Sequence, residues 1–221
     1  MTDNDQQAKA SAAANMPKGL FALALLYGGM TVLAGVLGAK QVALGPLAVE
    51  AGIFAFLLLV SLSSAVAELY GRPTADRLVR FGFIPLITAI VLSWLVIQLP
   101  TDEGMYEPAK EAFPIIVGQT WRLMAAGVIA YGVSMTLNVA IFSRLSRGAT
   151  SFIAVRAAIA SVLSQIVDTL IFITVAFLGV RPIGELIVGQ AIAKVVLSIV
   201  LVPLLIMLLV SIGRKLDERH A

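Results

Sequence analysis

Residues 161–177 read SVLSQIVDTLIFITVAF, a stretch in which Asp168 is the single charged residue. Apolar positions lie on both sides of it without the alternation of a half-buried strand. The run extends over residues 153–179, long enough to cross about 30 Å of hydrocarbon as a helix. An ionised group at the centre of such a helix costs at least about 2.5–3.5 kcal/mol on insertion scales, so it needs a partner or a purpose. Which of these applies depends on what the rest of the chain places beside the span.

The rest of the chain is of the same character. Hydrophobic residues make up 59% of the 221 and charged ones 13%, with a mean hydropathy of +0.96. Soluble domains hold roughly 45–50% and 25%. Five further apolar runs, at 19–39, 47–69, 82–100, 121–143 and 184–211, are each of spanning length. Helices satisfy their own backbone hydrogen bonds in lipid, which predicts an all-α polytopic fold with six transmembrane helices. The polar residues 1–18 lack the apolar core of a cleavable signal peptide and read as a disordered cytoplasmic tail. Residues 19–211 read as one transmembrane domain and 212–221 as a second cytoplasmic tail.

Several chemistries are excluded. The chain has no cysteine, which removes disulfides, thiolate catalysis and cysteine metal sites, and its one histidine, His220, lies in the C-terminal tail. No nucleophile and base, metal-ligand cluster or glycine-rich phosphate loop appears, so the expectation is no enzyme, no metal and no cofactor. The net charge of +3 calls for no nucleic-acid partner, because basic residues at helix ends account for it. Those residues set the orientation. One set of connecting segments carries Lys9, Lys18, Arg72, Arg77, Arg80, Arg144, Arg147, Arg156, Arg214, Lys215 and Arg219. The other holds Lys40, Lys110, Arg122 and Arg181 and the acidic segment TDEGMYEPAKEAF (101–113). Both termini are therefore expected on the cytoplasmic side.

Lys194 is the second charge within a span. Counting from the outer ends of the last two runs at 1.5 Å per residue puts Asp168 at a depth of roughly 16 Å and Lys194 at roughly 13 Å. The short connection GVRPIGE (179–185) makes these spans antiparallel neighbours, so the two charges can meet. One reading is a structural ion pair. The other is a pair that touches a ligand or a proton path, favoured because apolar replacement of a buried pair often serves stability as well. Polar stripes at helical spacing accompany the pair: Ser161, Gln165 and Asp168; Gln190, Lys194 and Ser198; Tyr131, Ser134 and Asn138; Ser61, Ser64 and Glu68. Such residues also serve helix packing in membranes, but four stripes with complementary charges imply a polar interior suited to a small polar molecule.

The stretches AELYGRPTADRLVRFGF (67–83), NVAIFSRLSR (138–147), SQIVDTLIFITVAF (164–177) and AKVVLSIVLVPL (193–204) resemble the recurring motifs of the queuosine precursor transporter family, formerly catalogued as vitamin uptake transporters. The resemblance runs over the second to sixth spans in order. Its most specific part is the intramembrane Asp followed by Thr, with an amide three residues before it and a Lys in the next span. It implies uptake of a 7-deazaguanine, such as 7-cyano-7-deazaguanine or 7-aminomethyl-7-deazaguanine, across the bacterial inner membrane. It also implies a six-helix topology like that of the substrate-binding components of energy-coupling-factor transporters. The family's site positions fall on Glu68, Gln165, Asp168 and Lys194. Where members often carry Asp in the fourth span this chain has Asn138, and Asp76 stands where a second basic residue is common.

The chemistry of a deazapurine substrate fits these residues. A guanine-like edge offers two parallel N–H donors that one carboxylate accepts together, a role for Asp168. Its carbonyl oxygen calls for a donor such as Lys194, Gln165 or Gln190, and its flat ring for an apolar wall such as Phe172 or Trp94. Arg122 reads as an interfacial anchor. If uptake is proton-coupled, Asp168 or Glu68 is the titrating group. The alternative function is a substrate-capture subunit docked on a separate ATPase complex through small residues, Ala154, Ala157 and Ala158 or Ala34 and Gly38. The sequence leaves open that choice, the identity of the deazapurine and a homo-oligomeric state.

Overall fold

The structure, a computed structural model, describes residues 16–45, 47–118, 121–146, 152–179 and 183–218. Most of the expected N-terminal tail, and Arg147, Arg181, Arg219 and His220, lie outside the described residues. Helix α1 (Lys18–Gly38) is followed by a hairpin of β1 (Gln41–Leu44) and β2 (Leu47–Glu50). Then come α2 (Gly52–Tyr70), α3 (Arg72–Ile97), α4 (Glu107–Val117), α5 (Trp121–Ser146), α6 (Ile153–Phe177) and α7 (Gly184–Glu218). All of these helices except α4 are long and apolar enough to cross a membrane, so the chain is an all-α polytopic membrane protein.

The element boundaries correct the expected runs in several places. Residues 47–50 form β2, paired antiparallel to β1 with Gln41 opposite Glu50, and the second span begins only at Gly52. The backbone N–H of Ala51 bonds Lys40 O at 2.8 Å and closes the hairpin's base. The third span starts ten residues earlier than its apolar run, at Arg72, because Gly71 turns the chain with φ +83°, a conformation open to glycine. The acidic connection contains α4, whose Lys110 pairs with Glu107 at 2.7 Å. Eleven residues are too few to span, and the exposed apolar side chains of Phe113, Ile115 and Ile116 suit a helix lying in the interface.

Helix α7 continues past residue 211 to Glu218, giving 35 residues or about 52 Å, well beyond a roughly 30 Å hydrocarbon layer. The added turns carry Arg214, Lys215 and Asp217, which belong in water or headgroups. Asp217 accepts a hydrogen bond from the Gly19 N–H at 2.8 Å and another from the Tyr70 hydroxyl at 2.8 Å. One carboxylate thus caps an otherwise orphaned donor of α1 and ties the same ends of α1, α2 and α7.

Helix α2 is the central element, packed against α1, α3, α5, α6 and α7. Its side chains from Leu59 to Val66 are all buried, including Ser61, Ser63 and Ser64, whose small size lets neighbouring backbones approach. Helix α3 lies at the periphery, with Phe81, Ile84, Ile87, Val91, Leu92 and Leu95 facing outward, as a lipid-exposed helix requires.

Candidate functional site

Helices α6 and α7 pack side by side, and their charges meet. Lys194 Nζ donates to Asp168 Oδ2 at 2.9 Å, and the Ser134 hydroxyl of α5 lies 3.1 Å from Asp168 Oδ1. That hydroxyl has one proton and also lies 2.6 Å from Ala130 O, so its proton is shared between two acceptors. Both charged side chains are largely withdrawn from the surface, Asp168 to 8% and Lys194 to 13% exposure. The Lys194 ammonium also stands 6.0 Å from the centre of the Phe56 ring, within reach of its negative face.

Asp168 and Lys194 line a cavity of about 180 Å³, together with Gln190, Tyr131, Phe56, Phe172, Thr31 and Glu50. A cavity of roughly 150 Å³ takes benzene, so there is room here for a ring-sized ligand. The lining comes from the C-terminal halves of α1, α3 and α6, the N-terminal halves of α2, α5 and α7, and the hairpin. Because the spans alternate in direction, all of these ends lie on the side of the bundle opposite Lys18 and Glu218. Below the cavity the bundle is bonded across. Tyr27 of α1 and Tyr131 of α5 join hydroxyls at 2.8 Å, and Tyr131 donates to Val79 O of α3 at 3.1 Å. The two amide protons of Asn138 are shared among Val60 O at 3.3 Å and the Ser63 and Ser64 hydroxyls at 3.1 Å each.

The site residues expected from the sequence therefore separate. Asp168, Lys194, Gln190 and Phe172 share the cavity. Gln165 and Asn138 are fully buried in the bundle but do not line it. Trp94 is 57% exposed on the outward face of α3, so it is not a wall of the cavity. Glu68 lies toward the opposite end of α2, where it pairs with Arg156 at 2.7 Å and borders a groove that also holds Arg214 and Lys215. Arg156 also bonds Ser146 and stacks 5.1 Å over the Phe142 ring, which locks α2, α5 and α6 at that end.

Arg122 donates to Val175 O at 2.7 Å and to Leu178 O at 2.6 Å, satisfying the last carbonyls of α6. Its role is a helix cap. The small residues considered for docking a partner are partly spent inside the protein: Ala157 is fully buried, and Ala34 and Gly38 line the cavity. Phe56, Thr31 and Glu50 were not foreseen. Phe56 follows Ile53 by three residues on one face of α2, a signal hidden by the uniform apolarity of GIFAFLLLV (52–60).

A curated relative described as "Probable queuosine precursor transporter", from Bacillus subtilis (strain 168), is 29% identical over 167 residues, covering 74% of this chain and 72% of that protein. No solved structure gives a significant match. The profile of a transporter family matches residues 50–208, which include the last residue of β2, all of α2 to α6 and most of α7. By that match, over more than half of its length, the chain belongs to the family described as "Putative vitamin uptake transporter".

Proposed function

We propose that the protein imports a queuosine precursor, a 7-deazaguanine such as 7-cyano-7-deazaguanine, across the bacterial inner membrane with both termini cytoplasmic. The relative's description and the motif resemblance support the substrate class. The observation that carries the site assignment is the state of Asp168 in a ring-sized cavity. A carboxylate has about four acceptor positions, and Lys194 and Ser134 occupy one on each oxygen. Each oxygen keeps a position for one of two parallel N–H donors on a guanine-like edge.

Lys194 then acts twice. Its ammonium holds the carboxylate in place, and its remaining protons suit the ligand carbonyl, with Gln190 as a second donor in the same cavity. Phe56 and Phe172 supply apolar surface for the ring. With cytoplasmic termini the cavity lies in the outer half of the membrane, a position that supports loading from outside. Release requires parting the bonds among Tyr27, Tyr131, Asn138 and Arg156 on the inner side. No partner subunit enters this account.

Expression of Asp168→Asn in a queuosine-deficient strain fed external 7-cyano-7-deazaguanine tests the assignment. The variant keeps an oxygen for Lys194 and is expected to reach the membrane yet abolish rescue. Normal rescue overturns the role given to Asp168.

A further inference from the structure

The polar residues of the inner spans occupy two levels. At the first, Ser134 and Lys194 both reach Asp168. Asn138 follows Ser134 by four residues on α5, Ser198 follows Lys194 by four on α7, and Gln165 precedes Asp168 by three on α6. Each sits about 4.5–6 Å nearer the end of the bundle that holds Lys18 and Glu218, close to the face its upper neighbour occupies.

All three lower residues have zero exposure. Neither amide atom of Gln165 has a hydrogen-bond partner among the described residues, and the same holds for Asn138 Oδ1 and Ser198 Oγ. Asn138 is nevertheless held in place, because the two protons of its amide nitrogen are shared among three acceptors on α2, leaving the carbonyl oxygen over. Ser161, one further turn along α6, also has a buried hydroxyl without a partner among the described residues. Buried polar groups are normally satisfied, and a membrane interior offers no casual water to repair the loss. Close packing accounts for small hydroxyl residues in membrane helices, but not for a buried primary amide with neither atom bonded.

We propose that Gln165, Asn138 Oδ1 and Ser198 form a second, inner subsite that takes the lactam edge of the transported heterocycle after it leaves Asp168. The inference rests on the transport reading above. A lactam presents an N–H beside a C=O, and the primary amide of Gln165 presents the complementary acceptor and donor side by side. Asn138 Oδ1 accepts from an exocyclic amine, and Ser198 donates or accepts. The inner subsite has no ionised group of its own, so the ligand exchanges the strong bonds to Asp168 for weaker neutral ones as it moves toward release.

Equilibrium binding and uptake of labelled 7-cyano-7-deazaguanine, measured on the same purified full-length protein, separate the two levels. Gln165→Leu is expected to keep binding within about twofold of the unmutated protein, lower liposome uptake about tenfold or more, and leave thermal stability no lower. Unchanged uptake overturns the inner subsite and assigns these groups to buried water. Loss of binding together with uptake overturns it as well, because Gln165 then acts at the upper level. Should Gln165→Leu fail to fold, Ser198→Ala gives the same comparison with an expected loss of about threefold in uptake. If the unmutated protein binds no 7-deazaguanine, the substrate reading fails and takes this inference with it. A normal unmutated protein with an unaffected Gln165→Leu overturns the inner subsite alone.

Discussion

Asp168 stands nine residues before the end of α6 and Lys194 ten residues after the start of α7, and their charged atoms meet at 2.9 Å. The two helices are thus aligned to within about one residue rise, 1.5 Å, at the level of the pair. A buried ion pair is not in itself a source of stability, since the cost of removing both charges from water offsets their attraction.

Removing one partner is a different matter. Lys194→Met leaves a carboxylate uncompensated and is expected to destabilise the protein by about 3–5 kcal/mol, less any relief from water in the cavity. The double variant Asp168→Leu with Lys194→Met is expected to recover that loss, or even gain about 1–4 kcal/mol, while remaining unable to bind substrate. Reversible unfolding in mixed micelles checks both. A double variant as unstable as the single one contradicts this account of the pair.

The tyrosine pair has a direction. Tyr131 donates to Val79 O, so Tyr27 is the donor in the bond between the two hydroxyls. Tyr27→Phe removes one bond and costs about 0.5–1.5 kcal/mol. Tyr131→Phe strands the fully buried Tyr27 hydroxyl, raising the cost to about 1–3 kcal/mol. Equal losses in unfolding measurements on the two variants contradict the assigned direction.

Arg156 uses two guanidinium nitrogens at once, one on Glu68 and one on Ser146. A lysine keeps the charge but reaches a single partner and loses the flat stacking over Phe142. Arg156→Lys is therefore expected to cost about 1.5–3 kcal/mol, the range for a hydrogen bond to a charged group. Thermal unfolding of the purified protein reads this out, and a change near zero contradicts the lock at this end of the bundle.

Gly52 stands in close contact with the Ala34 and Gly38 backbone where α1 and α2 pass beside the cavity. A Cβ there falls 2.6 Å from the Ala34 carbonyl oxygen, a backbone atom that cannot swing aside. Gly52→Ala is expected to spread the two helices at a cost of about 1–3 kcal/mol and to weaken substrate binding, because Ala34, Gly38 and Gly52 all line the cavity. Binding and stability equal to those of the unmutated protein contradict a tight crossing.

The six spans were legible because each is an apolar run of membrane length, and the Asp168 pairing because depth can be counted along two antiparallel helices. Rotation was not legible. Periodicity assigns Trp94 to a face of α3 without saying whether that face meets lipid or protein, and the structure turns it outward. Glu68 shares a stripe with Ser61 and Ser64 but lies on the far side of the bundle from the cavity, a distance that grows unnoticed along a helix at 1.5 Å per residue. The hairpin was hidden because LAVE (47–50) is as apolar as the helix after it, and β pairing depends on contacts between strands. Helix α4 was masked by Pro108 and Pro114, the first harmless in an opening turn.

The account depends most on Asp168 as the carboxylate that receives the substrate in the cavity beside Lys194. Uptake of labelled 7-cyano-7-deazaguanine into liposomes holding only this protein, compared with liposomes holding Asp168→Asn at equal density, tests it directly. The account predicts saturable uptake by the unmutated protein and none above empty liposomes for the variant. Equal uptake by the two, or no uptake by the unmutated protein under any imposed gradient, contradicts it.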